Sequence, residues 1–374
     1  MKTCIFPGQG SQARGMGAGL FEQFPELTER ADTILGYSIQ ELCLEDPRQE
    51  LNKTEFTQPA LFVVNALSYY SKMQSSGSKP DFLAGHSLGE FNALLAAECF
   101  DFDTGLKLVR KRGELMGRIA NGSMAAILNA SKDEIESILQ QHGLHNIDLA
   151  NYNTPSQIVI SGLSEEIVKA EPLFQQGKML YYPLNTSGAF HSRFMEAVKH
   201  EFGEFLANFE FAAARIPVIA NVTARPYADG AIHENLSKQI SSTVRWSESI
   251  QYLMALGFAR GGTMQFEEVG FGDVLTRLLQ TIQRQTPDSV LQSIAGEHGL
   301  AAKDANASIG SLTAADKVAV WNRKHPIGTR VRSLMAEYTN LETRTAAMVL
   351  FGHRAAVYMK DYNGYFDLDE IVPV

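Results

Sequence analysis

Short apolar runs alternate with longer amphipathic stretches along the first hundred residues, a pattern typical of strands that are followed by helices. The runs at Lys2–Phe6 and at 81–84 predict two buried strands. The second run leads directly into Gly85-His86-Ser87-Leu88-Gly89 and then into a helical pattern over 90–97. A strand, a sharp turn that carries a serine and a helix form a nucleophile elbow, although a glycine-rich turn without chemistry has the same letters. The helix N-terminus would favour negative charge beside Ser87.

Further helices are predicted at Pro25–Leu35, at 58–73 and from a cap at Asp103 or Thr104 to Met116. The first strand is followed by the glycine-rich loop Gly8-Gln9-Gly10-Ser11-Gln12, which lacks the lysine of a phosphate-binding P-loop. A loop after a first parallel strand can lie beside a later elbow, because sites gather at the carboxyl ends of such strands.

The pattern changes over 122–187. Strands are predicted at 124–128, 147–151, 157–161 and 179–182, and helices at 132–141 and 164–176, the first with a capping box from Ser131 to Glu134. The order βαββαβ is the ferredoxin-like signature, so we expect a small subdomain here. It is inserted into an α/β core with a parallel sheet, formed by 1–121 and 188–284.

The core resumes with helices at 196–208, 247–256 and 274–284 and strands at 217–220 and 265–269. Small and polar residues then predict a linker over 285–316. The last segment, 317–374, is predicted to be a small β-rich module, with strands at 328–332 and 356–359 and a hairpin turn at Asn363-Gly364.

Composition narrows the class of protein. The chain has 374 residues, a net charge of −9 and 45% hydrophobic residues, so we expect neither general attraction to nucleic acid nor binding to anionic membranes. The three cysteines, Cys4, Cys43 and Cys99, have no metal-ligand spacing, and their odd number argues against a disulfide framework. We therefore expect a cytoplasmic protein without a metal site, a signal peptide or a membrane span.

A nucleophilic serine needs a base that accepts its proton. The candidate is His191 in Gly188-Ala189-Phe190-His191-Ser192, about a hundred residues after the elbow, in a loop that precedes a helix. For a single histidine, a surface or satisfied core position is the commoner role, so the assignment depends on its companions. No obvious aspartate completes a triad, which leaves a carbonyl oxygen to orient the imidazole.

Five motifs in one order complete this picture, and together they resemble the malonyl-CoA:acyl carrier protein transacylases of fatty-acid and polyketide synthesis. They are Phe6-Pro7-Gly8-Gln9-Gly10-Ser11-Gln12, Gly85-His86-Ser87-Leu88-Gly89-Glu90, Arg112-Gly113, Ala189-Phe190-His191-Ser192 and Glu268-Val269-Gly270. The resemblance covers about 1–284 and implies an α/β-hydrolase-like core with an inserted ferredoxin-like subdomain. It departs from the family at Phe271, where the family has proline, and the segment after Arg284 exceeds the family core.

The resemblance implies a role for each matching residue. Ser87 is the acylated serine, His191 its general base, and the N–H groups of Gln9 and Leu88 form the oxyanion hole. Arg112 grips the malonyl carboxylate, since a planar guanidinium can donate two parallel hydrogen bonds that lysine cannot copy. A solvated helix face is the commoner place for an arginine in the run Arg110-Lys111-Arg112.

Three further positions match the acyl pocket and one matches the support of the histidine. Met116 and His86 match pocket residues, and the carbonyl of Gln239 matches the group that holds the histidine. Phe190 matches a bulky position that accompanies malonyl rather than methylmalonyl, because its ring fills the space of an α-methyl group. Such a methyl group discriminates by only about 10- to 200-fold.

The expected function is transfer of malonyl from malonyl-CoA to the phosphopantetheine thiol of an acyl carrier protein, through a malonyl-serine ester. We expect a monomer with no tightly bound cofactor that acts in trans for a polyketide synthase, with the C-terminal module docking a synthase or stiffening the core. The alternatives are a transferase of fatty-acid synthesis, a hydrolase of the same fold that clears carrier proteins, an ordinary esterase and a non-catalytic scaffold. A carboxylate anchor at Arg112 argues against the hydrolase, and intact Ser87, His191 and Arg112 argue against the scaffold.

Overall fold

A computed structural model describes residues 1–186, 188–300, 314–333, 340–350, 354–362 and 365–373. The chain divides into two compact units, Met1–His298 and Gly299–Val374. Among the described residues, no helix has the length and apolar character needed to cross a membrane.

The first unit mixes helices and strands. Its strands are β1 (Lys2–Phe6), β2 (Phe82–Gly85), β3 (Gly122–Leu128), β4 (Ile147–Thr154), β5 (Gln157–Leu163), β6 (Leu180–Pro183), β7 (Val218–Ile219) and β8 (Gln265–Glu268). Its helices are α1 (Leu20–Gln23), α2 (Pro25–Leu35), α3 (Ile39–Leu44), α4 (Thr54–Ser76), α5 (Gly89–Ala96), α6 (Phe102–Gly117), α7 (Lys132–Gln141), α8 (Ser164–Phe174), α9 (Glu196–Leu206), α10 (Ile232–Gln239), α11 (Trp246–Ala259), α12 (Val274–Gln285) and α13 (Asp288–Glu297). A 3₁₀ turn, Arg193–Met195, precedes α9.

A four-stranded parallel sheet in the order β7-β2-β1-β8 forms the centre of the larger part of this unit. In β1 and β2 the last residues, Phe6 and Gly85, are register partners. The loop after β1 and the turn after β2 therefore leave the sheet side by side at its carboxyl edge, where sites in parallel sheets gather. Strand β1 is buried along most of its length, as expected for a central strand of a sheet that is covered on both faces.

Residues 122–183 form a second, antiparallel sheet in the order β4-β5-β3-β6, with α7 and α8 connecting its strands. Its apolar side chains, among them Ile127, Ile135, Ile160 and Phe174, make a core cluster of their own. The predicted capping box of Ser131 and Glu134 is present at the start of α7. The helix expected from a Ser164 cap begins at Ser164 itself, and its N-cap residue is Leu163 without a side-chain cap.

Strand β4 also binds to the larger part of the unit. Asn151 forms a parallel bridge with Val244, and the Thr243 hydroxyl donates to the Leu149 carbonyl over 2.7 Å. Asp148 forms an ion pair with Arg193, two residues after His191. The antiparallel sheet is thereby attached to the core at residues 243–244 and at Arg193, which follows the candidate base closely in sequence.

The second unit contains α14 (Ala314–Lys324) and strands β9 (Arg330–Ser333), β10 (Leu341–Glu342), β11 (Met348–Leu350), β12 (Arg354–Tyr358), β13 (Tyr365–Asp367) and β14 (Ile371–Pro373). The strands form two three-stranded antiparallel sheets, β10-β9-β14 and β11-β12-β13. Trp321, Val331, Val357 and Ile371 belong to its apolar core. The unit is β-rich, and the predicted turn at Asn363-Gly364 lies outside the described residues.

Two further expectations differ from the structure. Part of the range 285–316, predicted as a linker, is the helix α13, which buries Leu291 and Ala295 one turn apart and belongs to the first unit. Small residues around that pair conceal its helical spacing. The cap of α6 is Asp101, whose carboxylate accepts from Thr104 N–H over 2.8 Å, instead of Asp103 or Thr104.

Candidate active site

Ser87 stands at the sharp turn between β2 and α5, with a positive φ of 51°. This conformation costs a residue with a Cβ about 1–2 kcal/mol, so the surrounding contacts must hold it. The flanking glycines allow the turn: a Cβ on Gly85 would lie 1.9 Å from the carbonyl carbon of Gly89, and one on Gly89 would lie 2.1 Å from the Phe6 carbonyl oxygen. The elbow inferred from the sequence therefore forms, and its glycines are sterically required.

His191 lies beside the serine. Its Nε2 is 2.7 Å from the Ser87 hydroxyl oxygen, and its Nδ1 is 2.8 Å from the carbonyl oxygen of Gln239. The carbonyl contact assigns the proton to Nδ1, so Nε2 is left to accept from the serine. Burial, helped by the positive charge of Arg112, lowers the pKa of His191 to about 3. The imidazole is neutral at physiological pH, which is the state of a general base.

Arg112 extends from α6 into the same site and is 1% exposed. Its Nη2 donates to the Ser87 hydroxyl over 3.0 Å and to Gln239 Oε1 over 2.8 Å, while Nη1 donates to Gln58 Oε1 over 2.8 Å. The guanidinium also lies 5.6 Å from the centre of the Phe91 ring. Burial lowers the pKa of Arg112 to about 9 against the opposing effect of Glu90, so the side chain keeps its charge at pH 7.

The loop after β1 crosses directly over the elbow. A Cβ on Gly8 would lie 2.5 Å from the His86 carbonyl oxygen and 3.6 Å from the Leu88 nitrogen. Gln9 and Leu88 consequently line one small cavity together with Ser87. Two backbone N–H groups in this position could serve a developing oxyanion.

The cavity has a volume of about 90 Å³, enough for a small acyl group. The predicted pocket residues Met116, Phe190 and His86 line it, and Gln58 Nε2 contacts the Met116 sulfur at 3.4 Å. His86 is held by Asn153, whose Oδ1 is 2.9 Å from its Nε2. The other lining residues are Gln9, Gln58, Ser87, Leu88, Arg112, Met124, Asn151, Leu184, Thr186 and His191.

Three polar residues of the site had no role assigned to them from the sequence. Gln58 binds Arg112 from α4, and the Asn221 side chain accepts from the Ser87 N–H over 2.7 Å. Glu90 is completely buried behind the elbow. Asn221 follows β7 at the carboxyl edge of the parallel sheet, a position that could have drawn attention to it. Gln58 lies inside a helical pattern, where nothing in the spacing distinguishes it. Glu90 is the last residue of the motif around Ser87 but had no role assigned to it.

The fifth sequence motif has a structural place. The Glu268 carboxylate accepts from the N–H groups of Leu275 and Thr276 over 3.0 and 2.8 Å, so it caps the start of α12. Gly270 has a φ of 144°, and a Cβ there would lie 2.1 Å from the Asn65 Oδ1 atom. Helix capping by Glu268 and the close approach at Gly270 account for the residues of this motif, so we assign it no part in the reaction. In the part of the chain that the structure describes, no group of three His, Cys, Asp or Glu side chains is placed to hold a metal ion.

Acyl transfer needs an activated nucleophile, a base and positive charge near the reacting group. The site has a strained serine, a neutral histidine at its hydroxyl and a buried arginine. Comparison with known proteins agrees with this chemistry, since the model of the acyl transferase domain matches residues 3–308. The chain belongs to the acyl transferase domain family. The family match ends inside the second unit, so residues 309–374 lie beyond it.

Similar acyl transferases come from bacteria. A polyketide biosynthesis malonyl CoA-acyl carrier protein transacylase, PksC of Bacillus subtilis (strain 168), is 56% identical over 286 residues, which cover 76% of this chain and 98% of PksC. The polyketide biosynthesis protein PksE of the same strain is 54% identical over 287 residues, but this chain spans only 37% of its length. A malonyl CoA-acyl carrier protein transacylase from Burkholderia pseudomallei has a solved structure, 60% identical, with a TM-score of 0.76 and coverage of 77% of this chain and 99% of that one.

Proposed function

We propose that this acyl transferase moves a malonyl group from malonyl-CoA to the phosphopantetheine thiol of an acyl carrier protein. One observation carries the proposal: Arg112 Nη2 lies 3.0 Å from the hydroxyl oxygen of Ser87. A buried cation at the nucleophile favours an acyl group that ends in a carboxylate, because an uncompensated charge of this kind gains most from an anionic partner. The similarity to PksC, which is named for malonyl transfer in polyketide synthesis, supports the same substrate.

The reaction has two halves. The Ser87 oxygen attacks the thioester carbonyl while His191 Nε2 takes the hydroxyl proton, and the tetrahedral intermediate collapses with release of CoA, whose sulfur receives that proton. In the second half the thiol of the carrier attacks the malonyl-Ser87 ester while His191 takes its proton. The C–O bond then breaks and the proton returns to the serine oxygen.

We assign a role in this reaction to each of the remaining residues predicted for the site. We assign the oxyanion to the N–H groups of Gln9 and Leu88, and removal of one such donor typically costs about 3 kcal/mol of transition-state stabilisation. Arg112 binds the carboxylate, and the carbonyl of Gln239 keeps His191 in the tautomer that a base needs. Phe190, Met116 and His86 shape the acyl pocket, with Phe190 set against an α-methyl group.

We also propose the pathway, the compartment and the oligomeric state in which the enzyme acts. We infer that the enzyme acts in trans on carrier proteins of a polyketide synthase in the cytoplasm, as a monomer and without a resident cofactor. The three cysteines are free and buried, which suits a reducing compartment. Transfer to the carrier of fatty-acid synthesis is the second candidate, favoured by the 39% identity to a malonyl CoA-acyl carrier protein transacylase of Synechocystis.

We also propose a domain assignment. Residues 1–121 and 188–284 form an α/β-hydrolase-like core, and 122–187 form a ferredoxin-like subdomain. The order βαββαβ and the sheet order β4-β5-β3-β6 support the second assignment. We assign the C-terminal module 317–374 to docking of a synthase or to stiffening of the core.

Intact-mass measurement tests the function. After incubation with malonyl-CoA, the protein should gain one malonyl group on Ser87, and Ser87→Ala should gain none. Addition of a phosphopantetheinylated carrier should then remove the adduct and add the same mass to the carrier. A wild-type protein that gains no mass refutes the proposal, while an adduct that only water removes would favour the hydrolase.

A further inference from the structure

Glu90 is a buried carboxylate for which the proposed reaction has no use. It lies in the first turn of α5, three residues after Ser87, and has no exposed surface. Its Oε1 accepts from the Tyr227 hydroxyl over 2.6 Å and from the Asn221 N–H over 3.1 Å, and its Oε2 accepts from Gln239 Nε2 over 2.5 Å. A buried carboxylate is costly unless several donors satisfy it, so this arrangement has a reason beyond packing.

The contact with Gln239 determines how that amide is oriented. Gln239 Nε2 donates to Glu90 and also to the Ser87 carbonyl oxygen over 2.8 Å, and Oε1 accepts from Arg112. An amide turned by 180° would place its NH₂ group against the Arg112 donors and its oxygen against the carboxylate. An ionised carboxylate can only accept, so it permits one orientation of the amide.

The contact with Asn221 completes the support of the nucleophile. Asn221 Oδ1 accepts from the Ser87 N–H, and its Nδ2 donates to the Gly85 carbonyl oxygen over 2.7 Å. The backbone N–H and C=O of the strained serine are therefore both bound by amide side chains. Glu90 contacts both of those residues, which makes it the common point of the network.

We propose that Glu90 is a positioning residue that acts through Gln239, so that the amide oxygen faces Arg112 and holds the guanidinium where it meets the acyl carboxylate. This inference rests on the proposed malonyl transfer. Burial raises the pKa of Glu90 to about 7, while the hydrogen bonds from Tyr227, Gln239 and Asn221 and the charge of Arg112 favour the ionised form, so the test is run above that pH. The carboxylate and the guanidinium are thus coupled across one amide that both of them orient.

The test compares two substrates in Glu90→Gln. The carboxamide introduced at position 90 can either accept from Gln239 Nε2 or donate to Gln239 Oε1. The Gln239 amide therefore loses its single orientation, and when it is turned Arg112 loses the acceptor Gln239 Oε1. The kcat/KM for Ser87 acylation should fall more with malonyl-CoA than with acetyl-CoA, because acetyl-CoA has no carboxylate. The malonyl-to-acetyl ratio of kcat/KM should fall by about tenfold. Glu114→Gln is the matched control, because Glu114 lies on the same helix as Arg112 but on its exposed side and should leave the ratio unchanged.

A second variant tests the direction of the effect. Glu90→Asp keeps the charge with a shorter reach and should lower the ratio less than Glu90→Gln; it serves if the latter does not fold, as judged by its melting temperature.

The outcomes are separable. A folded Glu90→Gln or Glu90→Asp protein with an unchanged ratio overturns the inference. So does an equal loss with both substrates, because Glu90 would then only support the elbow. A wild-type protein without a malonyl adduct instead refutes the proposed function, so the two failures are distinguishable.

Discussion

Arg112 and Ser87 are hydrogen-bonded to one another, although they are 25 positions apart and helix α5 lies between them in the chain. The guanidinium is buried and bonds to the amide oxygens of Gln58 and Gln239 and to the serine hydroxyl, and no carboxylate among the described residues bonds to it directly. In malonyl-CoA a single CH₂ group separates the carboxylate from the thioester carbonyl. A carboxylate bound to Arg112 would therefore bring that carbonyl close to the serine oxygen.

Removing this cation should change the acyl preference. In Arg112→Ala we expect kcat/KM for malonyl-CoA to fall by about a hundredfold or more, because a buried charge-assisted pair is lost, while acetyl-CoA is affected less. Acylation of Ser87 measured by mass checks this expectation. Arg110→Ala is the control, since Arg110 lies on the exposed side of the same helix and donates to the Ile34 carbonyl. Equal losses for both acyl groups would contradict the role of Arg112.

The lowered pKa of His191 should make its contribution to stability depend on pH. Its pKa is about 3 in the folded protein. An unfolded histidine has a pKa of about 6.5, so the unfolded chain binds a proton first as the pH falls. Stability due to the neutral imidazole is therefore complete above about pH 6.5 and declines toward pH 3.

Urea unfolding of the wild type and of His191→Gln measures this effect, because other titrating groups are shared by the two proteins. Between about pH 8 and pH 5, the wild type should lose about 2 kcal/mol relative to the variant. A stability difference that does not change with pH would mean that the imidazole titrates normally in the folded state.

Gly89 should tolerate no side chain. Its Cβ would lie 2.1 Å from the Phe6 carbonyl oxygen, so Gly89→Ala must separate β1 from the elbow at a cost of about 1–3 kcal/mol. Acylation of Ser87 should fall with it. Gly296→Ala is the matched control: it lies in α13, where no described atom outside its own helix and chain neighbours is within 4 Å of the added methyl group, and it should stabilise by about 0.5–1 kcal/mol. Thermal unfolding with mass analysis of the acylated protein distinguishes the two variants.

Acylation should not require the second unit. Every residue that we assign to the chemistry lies within Met1–His298, and PksC is matched over 98% of its length by about three quarters of this chain. A protein truncated after His298 should therefore acylate Ser87 at a rate within about twofold of the full chain, since no reacting group is removed. Loss of acylation in a folded truncated protein would assign the second unit a part in the site. Transfer rates to several carriers would reveal a docking role.

Local patterns sufficed for the parts of the molecule that depend on near neighbours. The strand, turn and helix around Ser87, the capping box at Ser131 and the βαββαβ order of 122–183 depend on residues close in sequence. The helix α13 was missed because its short apolar pair is surrounded by small residues that are typical of a linker. The roles of Gln58 and Glu90 were missed because the role of a buried polar side chain depends on its partners, and Asn221 had only its position after β7 as a signal.

The sequence by itself determined that a serine would occupy a strained turn and, through five motifs in order, which family the chain belongs to. The letters around Ser87, His191 and Arg112 carry that information because steric and chemical demands restrict each position. The resemblance already implied that the carbonyl of Gln239 supports the histidine. Only the tertiary structure decided that Arg112 reaches the serine hydroxyl and that the Glu90 carboxylate accepts from the Gln239 amide. Those two contacts join residues 25 and 149 positions apart, and the folded backbone alone sets such distances.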